Sequence, residues 1–243
     1  MSSKMKINVF LPCKKNSTRV KNKNKRKFAN VDYGLLKVKL DQLLKCKLIH
    51  KIYLSTDDIR IINFVKKLKS NMIIVHQRTD KSLSTNETTT QQLIIHASEI
   101  IKDGHILWTH VTSPLINHII YEKIIKTYKQ VLKKRRNDSL MTVTKFKGFI
   151  WNEKKPINYS LKKEKWPKTQ DTKSLYKINS AVFLSSRENY IKEKNRIGKR
   201  PLFYQLPSLN GIDIDELEDF YFAEYIFINK NKFLKNNIRN LSN

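Results

Sequence analysis

Short apolar runs alternating with amphipathic helical stretches restrict this chain to one class of fold. Ile7–Pro12 (INVFLP), Lys51–Ser55 (KIYLS), Met72–His76 (MIIVH) and His105–Val111 (HILWTHV) read as buried strands. Between them, Leu35–Leu44, Ile59–Leu68 and Gln91–Ile101 place apolar residues at helical spacing. This βαβα order predicts a mainly parallel sheet flanked by helices on both faces. On such sheets ligands bind outside the carboxyl ends of the strands. Chemistry is therefore expected in the turn after Pro12, at Ser55–Asp58, in the loop after His76 and at Thr112–Leu115.

The second half is less regular. Ile119–Leu132 reads as a helix and Ser139–Thr144 as a strand. Residues 145–175 are rich in Lys, Trp, Pro and Asn with poor periodicity, which predicts a hairpin or small inserted lobe, with Trp151 and Trp166 packing it. Leu175–Ser185 returns to a strand pattern, Leu217–Phe227 reads as a closing helix, and a polar, basic tail follows from Asn229. No internal repeat is present, and residues 1–243 read as one domain.

With 40% hydrophobic residues the chain can build a core at this length. No run of about 18 apolar residues exists, so no membrane contact is expected. The short apolar run near the amino terminus passes directly into a polar loop, as a buried strand does and a signal peptide does not. Cys13 and Cys46 have neither CxxC spacing nor a His cluster, which fits a reducing cytoplasm rather than a disulfide framework or a zinc site. The formal charge of +28 admits polyanionic partners, yet Lys is spread along the whole chain, as codon bias and a solvated surface also produce. Nucleic-acid binding is the alternative this charge raises. It leaves the acidic stretch near the carboxyl end unexplained, and no nucleic-acid motif accompanies it.

Two segments carry chemistry. Leu11–Asn24 follows the first strand and holds Lys14, Lys15, Arg19, Lys21 and Lys23 among small polar residues. Such a loop can offer N–H groups, hydroxyls and ammonium groups to a triphosphate, or be a solvated basic loop. It lacks the glycines of a Walker A or GxGxxG loop. The second segment is Gly211–Phe220, reading Gly-Ile-Asp-Ile-Asp-Glu-Leu-Glu-Asp-Phe. In extended chain Asp213 and Asp215 project to one side. Neighbouring carboxylates repel unless a cation or proton intervenes, and Mg²⁺ held by carboxylates and nucleotide phosphates is one solution. The other reading is an acidic helix start, which accounts for Glu216 and Glu218.

In their order along the chain these motifs resemble the acylneuraminate cytidylyltransferase family. The family's I-P-A-R-x-G-S-K-x-I-P-x-K-N loop is matched by Leu11, Pro12, Ser17, Lys23 and Asn24. Lys14 replaces the usual Arg, and Thr18 the usual Lys. Ser55-Thr56-Asp57 resembles its S-T-D, for which a turn and cap through Thr56 or Asp57 is the plainer reading. Arg78 resembles the Arg of its R-P motif. Thr112–Leu115 resembles Q-P-T-S-P-L, with His110 in place of Gln. Lys168–Gln170 resembles R-Q, and Lys177 with Asn179 resembles R-x-N-G, with Ser180 in place of Gly. Asp213, Asp215 and Ala223-Glu224 match the family's D-I-D and A-E.

The resemblance implies a Rossmann-like α/β nucleotidyltransferase with the 145–175 lobe as a dimerisation element. CTP and an acidic 2-keto-3-deoxy sugar, sialic acid or a related nonulosonic acid, are its implied substrates. It implies Asp213 and Asp215 as ligands of Mg²⁺ or another divalent cation and, with Lys23, as the catalytic group. Lys14, Ser17, Lys23, Asn24 and Arg78 are the implied nucleotide contacts. His110, Lys168, Gln170, Lys177 and Asn179 are the implied sugar contacts. A 3-deoxy-manno-octulosonate enzyme and a non-catalytic sugar-nucleotide binder are the nearby alternatives.

Overall fold

The structure, a computed structural model, describes residues 5–229, so the expected basic tail lies outside it except for Asn229. Strands β1 (Ile7–Cys13), β2 (Lys51–Thr56), β3 (Ile73–Gln77), β4 (His105–Trp108), β5 (Ser139–Phe146), β6 (Leu175–Ser186) and β7 (Pro201–Gln205) form one sheet in the order β3-β2-β1-β4-β6-β5-β7. Only β6 runs against its neighbours, β4 and β5. All other pairings are parallel.

Helices α1 (Gly34–Leu44), α2 (Ile59–Lys67), α3 (Thr90–Ile100), α4 (His118–Lys133), α5 (Arg187–Glu193) and α6 (Leu217–Ile228) cover both faces. Strand β1 shows why its whole sequence is apolar. Ile7, Val9, Leu11 and Cys13 enter the core under α1, α2, α4 and α6. Phe10 enters the second core, where Trp108 and Phe183 meet α3 and α5. Burial on both faces removes the polar alternation of a half-exposed strand.

The expected elements are present, with four departures. The apolar run at 105–111 pairs only as far as Trp108; the Thr109 N–H still bonds the Phe10 carbonyl (3.2 Å), and its hydroxyl bonds the Ala181 carbonyl (2.7 Å) and the Tyr121 hydroxyl (2.8 Å). Neither α5 nor β7 was anticipated: α5 has seven residues, too few for a period, and β7 is an edge strand that opens on Pro201. The cap of α2 is Asp58, which accepts from the Arg60 N–H. Thr56 accepts from the Asp58 N–H, and Asp57 turns away from the helix. Residues 147–174 form the β5–β6 connection, with an antiparallel bridge between Trp151 and Pro156. The connection is pinned by Asn158, which donates to the Gly148 carbonyl (2.6 Å). Trp166 rests edge-on to Phe149 at 5.5 Å, and Trp151 donates to the Tyr159 hydroxyl at 2.6 Å.

Order 3-2-1-4 puts the topological switch between β1 and β4, and the loop after β1 borders it before entering α1. The chain is tight at Gly34, where a Cβ would lie 1.9 Å from the Arg26 carbonyl oxygen. Gly34→Ala is therefore expected to destabilise the fold by about 3 kcal/mol in urea unfolding. A loss below about 0.5 kcal/mol would show that the loop gives way freely.

Candidate active site

A cavity of about 230 Å³ opens at the switch point. Its walls are Pro12, Lys14, Asn16–Arg19, Lys23 and Asn24 from the loop after β1, and His110–Thr112 from the segment after β4. Five residues chosen from the sequence thus meet in one place: Lys14, Ser17, Lys23, Asn24 and His110. The loop is internally built. Val20 is fully buried, the Lys23 N–H bonds the Val20 carbonyl (3.1 Å), and Asn24 donates to the Lys14 carbonyl (2.8 Å). Lys14 reaches across to the Thr85 carbonyl at 2.9 Å and to Asn86.

The Asp213–Asp215 segment closes onto this loop from the other end of the chain. Lys23 donates to the Ile214 carbonyl at 2.7 Å, and Arg19 pairs with Asp215 at 2.6 Å and Glu216 at 3.2 Å. The Ile214 N–H donates to the Thr112 carbonyl at 2.9 Å, so the turn after β4 holds the same segment. Ile214 is buried, Asp215 is exposed and Asp213 is half-buried, with Oδ1 enclosed and without a hydrogen-bond partner. Burial raises the Asp213 pKa, with the Asp215 charge adding to the rise; the Thr112 hydroxyl and Lys23 oppose it. An enclosed carboxylate oxygen without a donor, beside a second carboxylate, is a donor set suited to a hard divalent cation. Among the described residues no cluster of three or more acidic, His or Cys side chains offers a metal site. Phosphate oxygens and water would have to complete the shell around Asp213 and Asp215. The helix-start reading holds for Glu216: it caps α6 in a capping box with Asp219, whose carboxylate accepts from the Asp215 and Glu216 N–H groups.

His110 accepts from Trp108 Nε1–H through Nε2 at 2.8 Å. Burial, then the charges of Arg196, Lys39 and Lys23, hold its pKa down at about 3. It is therefore a neutral imidazole whose proton sits on Nδ1, a donor left for the cavity. Arg78 is buried and spends its guanidinium on the Leu83 carbonyl (2.9 Å), the Cys13 carbonyl (3.1 Å) and Asp57 (3.3 Å), leaving Nε without a partner. Asp57 also accepts the Lys15 N–H at 2.8 Å, so this pair ties β3 to the basic loop. Asn179 is buried and donates to Thr144 at 3.1 Å, beneath Gly211, where a Cβ would stand 2.8 Å from Asn179 Nδ2. Lys168, Gln170 and Lys177 are exposed and do not line the cavity.

Lys39 was missed. It is fully buried under the site, where its Nζ donates to the Ser113 carbonyl (2.7 Å) and the Tyr121 hydroxyl (2.8 Å). A signal existed: position 39 lies on the apolar face of α1 with Leu35, Leu36 and Leu43. Burial pulls its pKa from 10.5 to about 7, with Asp213 opposing. Between those values the unfolded chain binds a proton that the fold does not, so stability rises with pH through that window. Urea unfolding from pH 7 to 9 is expected to show a slope steeper by about 1.4 kcal/mol per pH unit in wild type than in Lys39→Met. Equal slopes would contradict a neutral buried amine.

A cationic loop at the switch point, joined to paired aspartates from the far end of the chain, is an arrangement suited to nucleotidyl transfer. The family model described as "Cytidylyltransferase" matches residues 9–236, and the chain belongs to that family of CTP-dependent enzymes. Pseudaminic acid cytidylyltransferase of Campylobacter jejuni is 23% identical over 92% of this chain and 97% of its own length. N-acylneuraminate cytidylyltransferase of Escherichia coli is 22% identical over 93% of this chain, which spans 53% of that protein. Among solved structures, CMP:2-keto-3-deoxy-manno-octonic acid synthetase complexed with CTP superposes with a TM-score of 0.62 at 12% identity, over 93% of this chain and 99% of that one. The 4-diphosphocytidyl-2C-methyl-D-erythritol synthase of Anaerococcus prevotii superposes at 0.65 with 13% identity, over 92% and 96%. These likenesses bear out the Rossmann-like nucleotidyltransferase fold. Among the described residues no helix is long and apolar enough to cross a membrane.

Proposed function

We propose that this enzyme transfers CMP from CTP to an acidic 2-keto-3-deoxy sugar of the nonulosonic class, sialic acid or a relative, and releases pyrophosphate. The observation that carries this reading is the joining of the basic loop to the Asp213–Asp215 segment through Lys23. The acid class follows the names of the relatives, pseudaminic acid and N-acylneuraminate cytidylyltransferases. The sugar's anomeric hydroxyl attacks the α-phosphorus of CTP; an oxygen–phosphorus bond forms and the bond to pyrophosphate breaks.

Positioning and charge neutralisation dominate such chemistry. Lys14, Ser17, Lys23 and Asn24 bind the triphosphate, with Arg78 fixing the loop from behind through the Cys13 carbonyl and Asp57. His110 presents Nδ1–H to the sugar, with Asn179, Lys168, Gln170 and Lys177 as the further sugar contacts. Asp213 and Asp215 would hold Mg²⁺, which when bound neutralises phosphate charge. Arg19 keeps Asp215 in place and releases it at little cost, because an exposed ion pair is weak. The reaction's setting in this reading is the reducing cytoplasm, with Cys13 and Cys46 as buried free thiols.

The test is pyrophosphate release from CTP and Mg²⁺ with sialic, legionaminic, pseudaminic and 3-deoxy-manno-octulosonic acids. Release with one nonulosonic acid, abolished by EDTA, is expected. Asp213→Asn and Asp215→Asn should each cut kcat on the order of 100-fold. Release with the octulosonic acid alone would move the substrate to the sister class. Unchanged turnover in both folded variants would remove the metal assignment.

We also propose that two copies associate through the 147–174 lobe. Phe149, Trp151, Ile157, Leu161 and Trp166 leave an apolar surface there, Trp166 being 70% exposed. Light scattering should give twice the chain mass of 28.8 kDa, reduced to one chain by Trp166→Glu. A monomeric wild type would contradict this.

A further inference from the structure

Arg196, in the turn after α5, spends its guanidinium on no protein acceptor. It lies over the Phe183 ring at 3.8 Å from the centroid and over the Trp108 ring at 5.2 Å. No hydrogen bond or ion pair within the described residues reaches it, and it is half-buried. None of its nitrogens is an enclosed orphan, so its donors face outward while the rings cover the rest. The other arginines near the site are committed: Arg19 to Asp215, Arg78 to Asp57, and Arg26 to the Tyr221 hydroxyl at 2.9 Å. Desolvated cations are ordinarily paired, and this one lacks its anion.

Its position says what that anion belongs to. Trp108 ends β4 and opposes Phe183 in the sheet register. Its ring lies 5.9 Å from that of His110, which it bonds and which lines the cavity. Arg196 thus stands one ring behind His110 and is not itself part of the cavity lining, so a ligand that it takes must extend past His110. Stacking on Phe183 fixes the guanidinium plane. A fixed plane presents paired N–H groups in the fork that matches a carboxylate.

We propose that Arg196 is a specificity residue that takes the carboxylate of the sugar acid, with Phe183 and Trp108 as its supporting shelf. His110 Nδ1–H then lies next to it for a neighbouring hydroxyl. This rests on the acidic-sugar reading above. It assigns the charge recognition to a half-buried cation seated on two rings, whereas Lys168 and Lys177 are both exposed.

Steady-state kinetics with CTP and Mg²⁺ test it, using whichever of N-acetylneuraminic, legionaminic and pseudaminic acid the wild type turns over, alongside the methyl ester of that acid. Arg196→Gln should raise KM for the acid on the order of 10- to 100-fold and erase the preference for acid over ester. KM for CTP should stay within about twofold. Arg196→Lys, which keeps the charge but loses the fork, should give an intermediate KM, and it carries the test if the Gln variant does not fold. Unchanged KM for the acid, or KM for CTP rising in step, would overturn the assignment while leaving the cytidylyltransferase reading intact. Wild-type silence with every nonulosonic acid of the panel above, legionaminic acid included, would overturn both.

Discussion

The ammonium of Lys23 on the carbonyl of Ile214, two residues 191 positions apart, is the contact on which the site depends. It turns a loop that would otherwise be one more basic stretch into a wall of a cavity. The carbonyl it takes lies between Asp213 and Asp215, so the same bond sets where both carboxylates sit. Burial lowers the Lys23 pKa, and Asp215 is the first of the charges that pull it back. Cation and carboxylates thus hold each other where a triphosphate would need both.

Beneath that contact lies a second layer with no exposed member. Lys39 holds the Ser113 carbonyl, and Tyr121 bridges Lys39 to Thr109. Gln42 holds the Pro114 carbonyl at 2.6 Å and Asn210 the Leu115 carbonyl at 2.8 Å. The turn after β4 is therefore fixed by side chains from α1, α4 and the approach to α6, and it fixes Ile214 in turn through Thr112. Buried polar groups in such a network are costly to leave unpaired, which makes the turn rigid. A rigid turn is what positions Thr112 and His110 at the cavity.

Much of this was legible in the sequence because it is local. Strand β1 is apolar throughout, the basic loop follows it directly, and Asp213 and Asp215 sit two apart in extended chain. Ser180 shows how the family pattern carries geometry: its φ is 55°, in the left-handed region where glycine costs least, and glycine is the family's residue there. What was not legible depends on contacts between distant segments. Asp58 rather than Asp57 caps α2 because Asp57 is drawn to Lys15 and Arg78. Lys39 shares the apolar face of α1 in sequence, but its partners, the Ser113 carbonyl and Tyr121, come from distant segments. Arg196 follows a helix too short to read, and only the sheet register brings Trp108 and Phe183 beneath it.

The claim that one nucleotide site is built from both ends of the chain is tested most directly by the affinity for CTP, measured by calorimetry with Mg²⁺ and again in EDTA. The account predicts CTP binding that is tighter with Mg²⁺, because the phosphates and the Asp213–Asp215 pair then share a cation. Equal affinity with and without the metal would separate the aspartates from the nucleotide. No binding in either condition would contradict the site itself.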